Sequence, residues 1–71
     1  MSNGDHIYRV TEVVGTSNES VAQAIKNGVA RVSRTVRNVE WFEVVETRGS
    51  VHPDGSLTFQ VGLKCGFRLE G

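Results

Sequence analysis

From Leu57 to Leu69 every second residue is apolar: Leu57, Phe59, Val61, Leu63, Cys65, Phe67 and Leu69. Thr58, Gln60, Gly62, Lys64, Gly66 and Arg68 stand between them. A strict period of two over thirteen residues puts an apolar row and a polar row on opposite sides of an extended chain. It therefore predicts a long, half-buried strand. Such a strand spans about 40 Å at roughly 3.3 Å per residue. The rest of the chain has to cover the apolar row and pair both strand edges.

One segment offers a cover. From about Ser17 to Arg37 the apolar residues Val21, Ile25, Val29, Val32 and Val36, with Gly28, recur at spacings of three, four and seven. That is one face of an α-helix. Thr16 precedes Glu19 by three positions, a capping-box spacing, so the helix is expected to start there. Gly28 costs roughly 1 kcal/mol against alanine in mid-helix, which points to close approach by another backbone. A helix of this length covers about 30 Å. It leaves part of the apolar row bare, and the overhang calls for a neighbouring subunit.

Two further strands are expected. His6 to Val14 is rich in β-branched and aromatic residues, and Gly15 is read as its end. Trp41 to Val51 is the other, with Phe42 and Val44 on one face and Trp41, Glu43, Val45 and Thr47 on the opposite one. Pro53-Asp54-Gly55 then supplies a turn, with glycine where positive φ is needed. The order is strand, helix, strand, hairpin, strand: an α+β unit with a three-stranded antiparallel sheet and one helix on one face.

Composition narrows the function. Eight Lys and Arg balance eight Asp and Glu, for a formal net charge of +0. That argues against a non-specific nucleic-acid binder. No apolar run approaches the roughly 18 residues of a membrane helix, and Met1 to His6 lacks a signal peptide's apolar stretch, so a cytoplasmic location is expected. A lone Cys65 leaves no internal disulfide, and no paired cysteines and histidines frame a metal. Residues 1–71 make a single domain, with residues 1–5 expected to be flexible. A chain this short buries only about 60% of its unfolded surface, so oligomerisation is the natural source of further stability.

If Val51 faces Ser56 across the turn, Trp41 lies near Gly66 and Thr47 near Gln60. Trp41 then shares the helix-free face with Gln60, Lys64 and Arg68, while Arg48 lies on the other. A bulge near the turn would change that register. Trp41, the sole tryptophan, is either a subunit-interface anchor or a stacking platform for a planar ligand. Gly62 and Gly66 leave space opposite, and the Gln60 amide offers a donor and an acceptor to a heterocycle edge. Cys65 reads as a small buried hydrophobe. Glu40, Glu43 and Glu46 are dispersed; an acid–base pair among them stays open but unspecific. Arg31, Arg34 and Arg37 complement the helix dipole or make salt bridges; an anion pocket is the rarer reading.

These fragments occur in a particular order: Tyr8-Arg9-Val10, Val14-Gly15-Thr16-Ser17, Ala24-Ile25, Ala30-Arg31, Trp41-Phe42-Glu43-Val44, Arg48-Gly49, Phe59-Gln60-Val61 and Gly66-Phe67-Arg68-Leu69-Glu70. From about Tyr8 to Glu70 the chain resembles the dodecins, small flavin-binding proteins. The resemblance implies a β-α-β-β subunit in a hollow homo-dodecamer of cubic (23) symmetry. It implies flavins bound in pairs near two-fold axes, bracketed by a tryptophan from each of two subunits. Trp41 matches that tryptophan. Gln60 matches the glutamine that bonds the pyrimidine edge of the ring. Arg48 matches an arginine of bacterial members, which favour FMN; archaeal members with an acid there favour riboflavin. Arg68 matches a residue near the ligand or its phosphate. Some members hold coenzyme A through basic residues around the helix, for which Arg9, Arg31 and Arg34 are the candidates here. Cys65 departs from the family's usual aliphatic residue.

The function so implied is non-enzymatic storage and photoprotection of FMN, with riboflavin or lumichrome as alternative ligands. Stacking is worth about 0.5–1.5 kcal/mol beyond burial, and a contacting tryptophan quenches the excited flavin while shutting substrate out. The rival readings are a flavin-dependent oxidoreductase, which needs an open flavin face, and a structural protein whose Trp41 merely seals an interface.

Overall fold

The computed structural model describes residues 5–70. The expectation of flexibility for residues 1–5 lies outside them, except at Asp5. Four elements follow one another: β1 (Tyr8–Ser17), α1 (Val21–Ser33), β2 (Val39–Val51) and β3 (Leu57–Arg68). The sheet order is β1-β3-β2, with both pairings antiparallel. The strand read from strict alternation is thus the central one. Its apolar row faces α1, and Val61, Leu63 and Cys65 are fully buried beneath the helix with Ala24 and Val32.

Gly15 does not end β1. The strand runs on to Ser17, and Gly15 sits inside it where α1 crosses. A Cβ on Gly15 would fall on the Ala24 carbonyl, and one on Gly28 would lie 2.7 Å from Leu63 Cδ1 and 3.3 Å from Gly15 Cα. The two glycines let helix and strand backbones touch, as expected for Gly28.

The helix is shorter than its apolar period. Its N-cap is Ser20, not Thr16: Ser20 is extended and its hydroxyl accepts the Gln23 N–H at 2.9 Å. The Ser17 hydroxyl meanwhile accepts the Glu19 N–H, turning the chain before the helix begins. At the other end the helix closes by Arg34, although Val36 still packs on the core. The apolar rhythm runs past the helix because the following turn also faces the sheet. Asn38, at φ 66°, takes the left-handed conformation that turns the chain into β2.

The hairpin turn is as expected, with Gly55 at φ 89° and its N–H donating to the His52 carbonyl. Its register is offset by one: Val51 faces Leu57. Two irregularities follow along β2, between Val39 and Trp41 and between Val44 and Glu46. The second restores Trp41 opposite Gly66, but it carries Thr47 to the helix side, opposite Val61, and Arg48 to the other face, opposite Gln60.

The helix lies mainly over β1 and β3 and barely reaches β2. Phe42, Val44, Val51 and Leu57 are exposed. The described residues measure 58 × 20 × 14 Å, with a radius of gyration of 14.9 Å. A compact chain of this length would have about 11 Å. The unit is a slab with an unfinished apolar layer.

Candidate functional site

Trp41 reaches the helix-free face because Glu40 is the extra residue of the first irregularity. Val39 pairs with Phe67, Trp41 with Gly66, and Glu40 is left over. The indole then fills the space above Gly66, so that a Cβ there would clash with Trp41 Cε2 and Cζ2. The room that Gly66 leaves is thus taken by Trp41 itself. The sheet floors the indole on one side, yet Trp41 remains 39% exposed. A planar ligand has an open aromatic face to meet.

Tyr8 walls that indole on β1. Its ring stands edge-on to Trp41, centroids 6.0 Å apart at 61°. Its hydroxyl donates to Glu40 Oε1 at 2.8 Å, and Glu40 Oε2 lies 3.4 Å from Arg68 Nη1. In the sequence Tyr8 is a strand former and part of the Tyr8-Arg9-Val10 fragment, with no role in the site, and Glu40 is one of three scattered acids. Neither could be found without knowing that β3 lies between β1 and β2, and that Gly66 lets the two edge strands meet above it. Glu40 accepts from the phenol and so pushes the Tyr8 pKa up.

Gln60 is half-buried on the same face, opposite both Thr16 and Arg48. Arg48 forms an ion pair with Glu46. Between the Trp41 end and this end, a shallow cavity of about 310 Å³ opens over Gly62, flanked by Glu12, Val14, Val45 and Glu46. That is the lower limit of the usual ligand-pocket range. From Gly66 to Gln60 the strand advances six residues, about 20 Å, well beyond the length of a three-ring heterocycle. Trp41 and Gln60 of one chain are therefore widely spaced for a single ring.

The other candidates lie elsewhere. Arg9 is on the helix-bearing side, opposite Phe67, Arg31 is in the last turn of α1 and Arg34 caps it. All three are exposed, and the structure joins none of them to another. Asn38 donates to Glu70 Oε2 at 3.1 Å, and this bond, with the Arg37 guanidinium 3.6 Å away past the helix, holds the Glu70 carboxyl below its ordinary pKa. Cys65 is buried, and burial pushes its thiol pKa up, as befits an inert hydrophobe. Among the described residues no group of three or more His, Cys, Asp or Glu is gathered to hold a metal. None of their helices is long and apolar enough to cross a membrane.

A β-α-β-β unit with an unfinished apolar layer and a lone tryptophan on its helix-free face is matched by one family model, dodecin, over residues 7–70. The chain belongs to the dodecin family. It is 45% identical to the dodecin of Thermus thermophilus over 64 residues, 90% of this chain and 93% of that one. It is 29% identical over 63 residues to a calcium dodecin of Mycobacterium tuberculosis, 89% of each chain. The solved structure of a dodecin from Streptomyces davaonensis superposes with a TM-score of 0.89 at 51% identity, covering 96% of this chain and all of that one.

Proposed function

We propose that this dodecin binds FMN without turning it over, storing the flavin and protecting it from light within a homo-dodecamer. The observation that carries the reading is Trp41, pressed onto Gly66 on one side and open on the other. An aromatic platform backed by a strand is pre-organised for a flat ring, and stacking adds about 0.5–1.5 kcal/mol per aromatic pair beyond burial.

The distance between Trp41 and Gln60 argues for a site shared between subunits. One ring stacks on Trp41 of one chain while its pyrimidine edge is bonded by Gln60 of another. Arg48 and Arg68 supply positive charge on the same face for the phosphate. The bare apolar residues Phe42, Val44, Val51 and Leu57 support association, because a neighbour would complete the layer that α1 leaves open. Coenzyme A, if held by Arg9, Arg31 and Arg34, would sit apart from this face. The calcium in the name of the Mycobacterium relative concerns that protein; the residues around Trp41 favour a planar aromatic ligand.

The test is a fluorescence titration of FMN with purified, flavin-stripped protein, alongside its mass by light scattering. Quenching that saturates near one flavin per chain on a particle of twelve chains is the expected result. Bright, unbound FMN would leave Trp41 an interface anchor. Quenching followed by turnover with an added electron donor would favour an oxidoreductase instead.

A further inference from the structure

Trp41 is held by contacts that flavin stacking does not require. Its floor is Gly66, and its side wall is the edge of Tyr8, 6.0 Å away in the T-shaped geometry that aromatic pairs prefer. Tyr8 is itself tied down, because its hydroxyl donates to Glu40, the residue next to Trp41 in sequence. Glu40 exists at this point only because β2 carries an extra residue there, and its second oxygen faces Arg68. One carboxylate thus joins all three strands around the indole: Tyr8 of β1, its own β2 and Arg68 of β3.

We infer that Tyr8 and Glu40 are positioning residues that lock the Trp41 indole in one orientation, with its outer face free before any ligand arrives. The inference deepens the flavin reading and rests on it for the effect on affinity. Binding to a mobile indole would first have to freeze its rotamers; the clasp removes that cost in advance. Tyr8 need not touch the flavin to matter. Its hydroxyl acts through Glu40 and its ring through Trp41.

The chain has one tryptophan and one tyrosine, so its long-wavelength near-ultraviolet dichroism comes from Trp41 alone. The experiment compares Tyr8→Phe, Glu40→Leu and Arg37→Gln in flavin-stripped assembled protein. It reads that indole band, Trp41 fluorescence anisotropy, the melting temperature and then FMN affinity. Tyr8→Phe keeps the wall but cuts the tie. It should weaken the indole band, lower the anisotropy and reduce FMN affinity about three- to ten-fold, with the melting temperature held. Glu40→Leu should do the same more strongly, whereas Arg37→Gln, which breaks only the exposed pair with Glu70, should change none of these. An unaltered indole band in Tyr8→Phe overturns the inference, as does an affinity loss that merely tracks a fall in melting temperature. If wild-type protein fails to bind FMN, the flavin reading falls, and the indole band still decides whether the clasp exists.

Discussion

Arg48 stands directly opposite Gln60 across the β2–β3 pairing, both on the face that the helix leaves free. The shift between Val44 and Glu46 makes them neighbours; without it Thr47 would occupy that place. Two polar groups of different chemistry are thereby aimed at the same side of the slab: an amide suited to a ring edge and a guanidinium suited to a phosphate.

The two should separate experimentally. Gln60→Ala should weaken FMN and riboflavin alike, by about two- to twelve-fold, the worth of one ordinary hydrogen bond of about 0.5–1.5 kcal/mol. Arg48→Ala should weaken FMN while leaving riboflavin, which has no phosphate, nearly unchanged. Parallel fluorescence titrations with the two flavins check both; equal losses for Arg48→Ala would remove the phosphate role.

Gly66→Ala should be costly for its size. The added methyl clashes with the indole of Trp41. Overpacking of this kind costs about 1–3 kcal/mol, and here the strain is relieved by pushing the indole off its floor. A lowered melting temperature together with lost flavin quenching is the expected pair of results.

The helix start can be tested by two alanines. Ser20→Ala should cost about 1 kcal/mol, because it orphans the Gln23 N–H. Thr16→Ala should stay within about 0.5 kcal/mol, since the Thr16 hydroxyl caps nothing. Denaturant melts of the two variants give the comparison, and a reversed order would return the cap to Thr16.

Tyr8 gives a pH dependence of known sign. Its folded pKa is raised above the ordinary 10.0, chiefly by donating to Glu40, with Arg68 opposing weakly. The folded state therefore keeps a proton that the unfolded chain gives up near pH 10. The resulting stabilisation is complete below that pH and is lost as pH climbs through the folded value. Absorbance titration of this single tyrosine should show ionisation later than in denatured protein, and Glu40→Leu should bring it earlier.

What the chain discloses before folding differs by element. The alternation from Leu57 to Leu69 is a direct record of two faces, and it located the central strand and the buried Val61, Leu63 and Cys65. The helical period located the face of α1 but not its ends, because Val36 packs on the core from a turn and Thr16 offers as plausible a cap as Ser20. Gly15 reads as a terminator in one dimension and is a crossing point in three. The irregularities in β2 have no hydrophobic signature: Val44-Val45 looks like ordinary strand, so the placement of Arg48 could not be read by counting. Trp41 and Gln60 stand out as candidates by parity on the helix-free face and in the family's pattern of residues, and the structure places both on that face. Tyr8 and Glu40 do not, since their meeting depends on strand order and on a glycine in the strand between them.

The thinness of the slab has a thermodynamic consequence. A chain whose helix leaves β2 bare has little interior of its own to defend. With other copies supplying the missing layer, as proposed, folding becomes a reaction of higher than first order. Its free energy then carries the logarithm of protein concentration, and dilution acts as a denaturant. A single melting temperature would not describe this protein; a curve against concentration would.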